Sequence, residues 1–192
     1  MAELKVLIPR EKIAQRVAEM GAEINRDYSG QSVILLGVLK GAAIFLSDLS
    51  RQLQIDSTFD FIGVSSYGNR PSPAQELKSG WDSTGEVRLT KDMDQSMIGK
   101  NVILVEEILD TGLTLTYLKK LLMARQPKYL RIAGRLDRPS GRSQPHQADY
   151  VCVSIQAAAV FGDDMASATK SPNHPDTRGR PRGGKRHGPQ DG

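Results

Sequence analysis

Residues 102–115 read VILVEEILDTGLTL, and the fold turns on what that stretch can form. Val102 to Val105 are an unbroken apolar run, the pattern of a strand buried on both faces within a parallel sheet. Glu106, Glu107 and Asp110 then fall at the strand's C-terminal edge. Beyond them, Thr111, Gly112 and Thr114 offer backbone N–H and hydroxyl donors. The segment LTLTYLKKLLMAR takes up helical spacing from there, with Leu115, Leu118, Leu121 and Leu122 apolar. A strand, a tight turn and a helix N-terminus make an anion site. Three acids would repel a lone phosphate, whereas a phosphorylated sugar offers hydroxyls to the acids and a phosphate to the turn. The stretch therefore points to a ribose phosphate.

Working outward, strands and helices alternate. REKIAQRVAEMGAEINRDY, from Arg10, sets Ile13, Val17, Met20 and Ile24 on one helical face, with Pro9 at its start. SVILLGVL at 32–39 predicts a second buried strand. GAAIFLSDLSRQLQ predicts a helix with Ile44, Leu46, Leu49 and Leu53 turned inward. TFDFIGVSSYG, YLRIAGRL and ADYVCVSI read as further strands, and EVRLTKD as a more exposed, antiparallel one. Such alternation implies an α/β fold with a mainly parallel central sheet flanked by helices. Ligands in such folds bind beyond the C-terminal strand edges, where the acids stand. Lys40 lies between a strand end and a helix opening at Gly41, where an ammonium and free N–H groups can share one anion.

Composition bounds the alternatives. A chain of 192 residues, 39% hydrophobic, can bury one core. No apolar run approaches the roughly 20 residues of a membrane span, and MAELKVLIPREK lacks the apolar centre of a secretory signal, so a soluble, cytoplasmic protein is expected. Cys152 is the only cysteine, which excludes an intramolecular disulfide and a cysteine metal cluster. Inside YVCVSI it reads as a small buried apolar residue. His146, His174 and His187 lie in polar surroundings and read as solvated.

The net charge of +4 belongs to the end of the chain. From Lys170 onward there are six Lys or Arg against two Asp, which leaves residues 1–169 neutral. The segment 170–192, rich in Gly, Pro and Arg and nearly devoid of apolar residues, reads as a disordered basic tail, with 1–169 as the folded domain. It offers a weak contact for RNA or another polyanion, with a merely solvated terminus as the bland alternative. The eighteen residues from Gly68 to Gly85 contain two prolines, three glycines and the only tryptophan, Trp81. They read as a lid, a binding loop or a disordered insert, and a mobile lid would serve a reaction that must exclude water.

Taken together, VILVEEILDTGLTL, LLGVLKGAAIFLSDL, SSYGN, STGEVRLTKDMDQSMIGKNVILVEE, LDRP and ADYV resemble, in order, the type I phosphoribosyltransferase family in its hypoxanthine-guanine branch. The resemblance runs from about Leu7 to Ser154. It implies transfer of a 5-phosphoribosyl group from phosphoribosyl pyrophosphate to a 6-oxopurine, hypoxanthine or guanine, in purine salvage. It also implies magnesium as cofactor and a homo-oligomer, a dimer or tetramer.

By the same resemblance Glu106 and Glu107 hold the ribose hydroxyls, directly or through magnesium. Asp110 is the general base at the purine, with helix N-capping as its bland alternative. Asp110, Thr111, Gly112, Leu113 and Thr114 bind the 5-phosphate, Leu39, Lys40 and Gly41 meet the pyrophosphate, and Ser66 and Tyr67 begin the lid. Gln147 and Val151 fall at the base site.

The chain departs from the family pattern in three places. Glu107 stands where the signature usually has Asp, residues 70–81 lengthen the lid, and Gln147 replaces a Lys. After Ser154 the resemblance fades. Two other readings therefore stay open: a phosphoribosyltransferase-fold regulator that binds RNA, and a catalytically impaired homologue with a degraded base site.

Overall fold

The computed structural model describes residues 5–67, 86–144, 147–156, 160–161 and 177–179. In chain order the elements are β1 (Lys5–Ile8), α1 (Arg10–Asp27), β2 (Val33–Leu39), α2 (Ala42–Ser50), β3 (Ser57–Tyr67), β4 (Glu86–Lys91), β5 (Asn101–Leu109), α3 (Leu113–Met123), β6 (Tyr129–Asp137), β7 (Tyr150–Ser154), β8 (Val160–Phe161) and β9 (Thr177–Gly179). A 3-10 turn, Pro139–Gly141, follows β6.

Six strands form the main sheet in the order β4-β3-β2-β5-β6-β7. All neighbours are parallel except β4, which runs antiparallel to β3. The opening stretch thus becomes the inner strand it was expected to be. Val102 to Val105 are buried because β2 and β6 flank them in register, Leu35 facing Ile103 and Leu104 facing Ile132.

Helices cover both faces. On one, Val17, Met20 and Ile24 of α1 and Phe45, Leu46 and Leu49 of α2 pack over Leu35, Ile103 and Val105. On the other, Leu115, Leu118 and Leu122 of α3 pack over Ile34, Leu36, Val102 and Leu104. The alternation of β5 between the two cores is the period-two rule for a strand buried on both sides.

Two expectations need correction. Ile44 points outward at 48% exposed, because Ala42, Phe45, Leu46 and Leu49 already supply the apolar stripe of α2. Within the segment read as a disordered tail, Thr177–Gly179 form β9, which pairs with both β1 and β8 in a small antiparallel sheet. Backbone pairing there makes up for the scarcity of apolar side chains. The rest of 170–192, the lid insertion 70–81, Trp81 and the three histidines lie outside the described residues. Among the described residues no helix is long and apolar enough to cross a membrane.

Candidate active site

The connections of the main sheet reverse between β2 and β5. From β2 the chain moves outward to β3 on one side, and from β5 to β6 on the other. The loops leaving these two adjacent strands diverge and open a crevice at their C-terminal ends, the position where parallel sheets hold ligands. The loop after β2 is Lys40–Gly41, and the loop after β5 is Asp110–Gly112.

A cleft of about 200 Å³ opens there, lined by Glu106, Asp110, Thr111, Gly112, Thr114 and Arg142 with Leu115 and Leu118 of α3 beneath. Gly112 is the N-cap of α3 and adopts φ +84°, a left-handed conformation that strains any residue with a Cβ. The turn is therefore tight, and the first N–H groups of α3 face the cleft end of β5. Thr116 Oγ1 donates to Gly112 O at 2.9 Å and secures the first turn.

The expected phosphate and ribose positions are split by strand geometry. Glu106 lines the cleft, but Glu107, one residue on, points to the opposite face. It lies buried under the Lys40–Gly41 turn, so close that a Cβ added at Gly41 would overlap its Oε2. One oxygen of each is buried without a hydrogen-bond partner, Glu106 Oε2 and Glu107 Oε1. Burial, reinforced by the neighbouring Glu107 charge, pushes the Glu106 carboxyl up to about 8. Burial pushes Glu107 up to about 7, opposed by the positive charge of Arg135 on β6. These two carboxyls hold protons easily and want a positive partner.

Asp110 does not cap α3, since Gly112 occupies that place and makes no side-chain cap. Its carboxylate instead meets Arg138, the arginine of LDRP. Arg138 Nε donates to Oδ1 at 2.9 Å and Nη2 to Oδ2. The segment after β6 is laced to the same turn. Arg138 N donates to Leu109 O at 2.9 Å, and both Ser143 N and Ser143 Oγ donate to Thr111 O at 3.1 Å.

A model of the phosphoribosyl transferase domain matches residues 7–170 of the chain. The chain belongs to the phosphoribosyltransferase family. The hypoxanthine-guanine phosphoribosyltransferase of Bacillus subtilis (strain 168) is 39% identical over 171 residues, 89% of each chain. A crystal structure of a hypoxanthine-guanine phosphoribosyltransferase from Bacillus anthracis, with HEPES in its active site, superposes with a TM-score of 0.81 at 38% identity, covering 92% of this chain and 99% of that one. A hypoxanthine phosphoribosyltransferase from Trypanosoma cruzi in complex with its product IMP gives 0.80 at 33% identity, covering 94% and 95%. The expected family, fold and enzyme class stand on this homology.

Against the family signature, the described residues bring together Glu106, Asp110, Thr111, Gly112 and Thr114 in one cleft. Leu113 begins α3 on its exposed side, and Lys40 is exposed at the neighbouring turn. Ser66 and Tyr67 end β3 where the described residues stop. Gln147 is exposed and outside the cleft lining, and Val151 lies half-buried on β7 opposite Gly134.

The residues that sequence reading missed are Arg138 and Arg142. LDRP was part of the resemblance, but arginine in a polar loop carries no sign of its partner, and only the fold sets Arg138 against Asp110. Cys152 is buried, as expected, and burial pushes its thiol up to about 12, which removes it from nucleophilic chemistry.

Proposed function

We propose that this chain transfers the 5-phosphoribosyl group of phosphoribosyl pyrophosphate to a 6-oxopurine, hypoxanthine or guanine, releasing pyrophosphate. The observation that carries the reading is the convergence of a cleft-facing carboxylate, Glu106, a second carboxylate, Asp110, and an anion-binding turn at the N-terminus of α3, all within one crevice. The acids suit ribose hydroxyls and the turn suits the 5-phosphate. Lys40 and the backbone of Leu39 and Gly41 then stand across the switch point for the pyrophosphate.

Among the described residues no three His, Cys, Asp or Glu side chains converge on one metal position. One orphaned carboxylate oxygen in the cleft, Glu106 Oε2, nevertheless fits a divalent cation that keeps several waters and takes its other ligands from substrate. Glu106 would hold magnesium, whereas Glu107, expected to share the ion, lies on the opposite face of β5 under the Lys40–Gly41 turn. Bound there, the ion would offset the charge of the departing pyrophosphate.

The protein's own work is placement and proton transfer. The turn at Thr111 to Thr114 fixes the 5-phosphate and Glu106 the ribose, so the sugar is aligned before the acceptor arrives. The bond from the anomeric carbon to the pyrophosphate oxygen breaks as the bond to the purine nitrogen forms. Glu106, beside the ribose, favours the positive charge that develops on the sugar. Asp110 takes the proton released by the purine nitrogen. The compartment this reading implies is the cytoplasm, and the assembly a homo-oligomer.

The test is pyrophosphate release from phosphoribosyl pyrophosphate with magnesium, using hypoxanthine, guanine, xanthine and adenine as acceptors. A 6-oxopurine is expected to react, and Asp110→Ala to slow the reaction by about 10²- to 10⁴-fold. Absence of turnover with every base would refute the reading.

A further inference from the structure

Two charged side chains are buried next to each other in the main sheet, Glu107 at 5% exposed and Arg135 at 4%. The register of β5 against β6 sets Glu106 opposite Gly134 and Ile108 opposite Leu136, so Glu107 stands opposite Arg135. Val105 and Ala133, two residues before them, both join the core under α1 and α2, which puts the two charges on that same face. Side chains paired across neighbouring strands interact. The positive charge of Arg135 bears directly on the Glu107 carboxyl.

Glu107 also packs against the turn after β2. A Cβ built on Gly41 would overlap Glu107 Oε2 and stand 3.3 Å from its Cβ. Gly41 is the N-cap of α2, so the carboxylate lies beneath a helix end whose free N–H groups and partial positive charge suit an anion. On the proposed reading the pyrophosphate approaches that helix end from the side on which Lys40 is exposed. Two anions would then face each other across one turn. A lone buried carboxylate is also costly in its own right. Arg135 answers both difficulties from the next strand.

We infer that Arg135 is a positioning residue for pyrophosphate, the counter-charge that holds Glu107 beneath the Lys40–Gly41 turn and keeps the floor of that turn neutral. The inference rests on the reading of this turn as the pyrophosphate site. Glu107 supports the Gly41 backbone by filling the space under it, and its charge is met from β6, so the N–H groups of α2 are left to the ligand. The pair also explains an acid on the face of β5 turned away from the cleft, since its positive partner is a side chain of the sheet.

Arg135→Met keeps much of the volume and leaves Glu107 without its counter-charge. The dissociation constant of pyrophosphate with magnesium, read by calorimetry, should rise about tenfold, and KM for phosphoribosyl pyrophosphate with it. KM for the purine should stay within about twofold, since the acceptor does not meet this turn. Arg135→Lys, which keeps the charge, should fall between the parent and Arg135→Met. Combining Arg135→Met with Glu107→Gln removes both charges, and this double variant should bind pyrophosphate no more weakly than Glu107→Gln alone. Independent roles would instead multiply the two losses to about a hundredfold, which overturns the inference. A purely structural Arg135 would lower the melting temperature of Arg135→Met and leave its pyrophosphate constant at the parent value, which overturns it too.

Lys40→Ala run alongside separates the two layers. If Lys40→Ala binds pyrophosphate as the parent does, the reading of the turn fails, and the inference with it. If Lys40→Ala binds weakly while Arg135→Met keeps the parent constant, the turn reading stands and the role of Arg135 is overturned. Where Arg135→Met does not fold, the double variant carries the test, because a buried pair replaced on both sides is tolerated where a lone buried charge is not. A double variant that also fails to fold overturns the pairing.

Discussion

Two neighbouring glutamates on one strand meet different worlds. Glu106 opens onto the cleft beside the Asp110–Gly112 turn, while Glu107, one residue later, is buried beneath the turn that ends β2. The sequence presents them as a pair, and the pleat separates them. On the proposed reading Glu106 would serve the ligand and Glu107 would support the loop that meets the pyrophosphate. A carboxylate that contacts substrate and one that braces a loop should fail differently.

The largest expected effect breaks the pair directly. Glu106→Gln preserves shape and removes the ionisable oxygen that the proposed reading sets beside the ribose, and should lower kcat/KM by about 10²-fold, the scale of a lost electrostatic contact in a closed site. Glu107→Gln should cost about tenfold, the scale of a group acting through a neighbour. Steady-state kinetics on both variants decides the matter. Equal losses would mean that Glu107 also reaches the ligand.

Gly41→Ala comes next. The new methyl would overlap Glu107 Oε2 and stand 3.4 Å from its Cδ, so either the turn lifts or the glutamate moves. Forced repacking of this kind costs about 1 to 3 kcal/mol. A lower melting temperature is expected together with a raised KM for phosphoribosyl pyrophosphate. Relief of the stability loss by Glu107→Ala in the same chain would identify the clash as the cause.

The fold and half of the site were legible in the sequence because they are written in local pattern. Val102 to Val105 read as an inner strand, and Asp110 to Gly112 as its exit turn into α3. The covering of β5 on both faces followed. What was not legible depends on side chains from distant segments. Arg138 lies 28 positions from Asp110, and no periodicity links them. Ile44 fits a helical stripe as well as Phe45 does, and only the packing of α2 against the sheet selects one. Thr177–Gly179 carry no strand signal of their own, since β1 supplies the reason for them to extend.

The two glutamates also predict how stability follows pH. Free glutamate titrates near 4.5, whereas burial raises Glu106 to about 8 and Glu107 to about 7. The folded state thus binds protons that the unfolded state has released. This contribution is fully present below pH 4.5 and is lost as pH rises through 7 and then 8. Unfolding free energy of the ligand-free protein should fall across that window. Asp92, lowered by its ion pair with Arg125, changes stability only on the acid side and does not mask the trend. Glu106→Gln should flatten the upper part of the curve and Glu107→Gln the lower part. Urea denaturation at a series of pH values reads both, and unchanged slopes would mean the carboxyls are better solvated than their burial implies.

The smallest effect is expected at Ile44 of α2, where the same division between inward and outward faces applies to neighbouring residues. Leu46 is buried and Ile44 is 48% exposed. Leu46→Ala should cost about 2 to 5 kcal/mol through the cavity it leaves. Ile44→Ser removes apolar area that already meets solvent and should stay within about 0.5 kcal/mol. Chemical denaturation at two protein concentrations tests this. A concentration-dependent loss well above that value for Ile44→Ser would place Ile44 in a covered surface, since only association makes stability depend on protomer concentration. The outward face of α2 would then be part of the homo-oligomer that the resemblance implies. A small, concentration-independent change would leave Ile44 a solvated residue and move the search for that contact elsewhere.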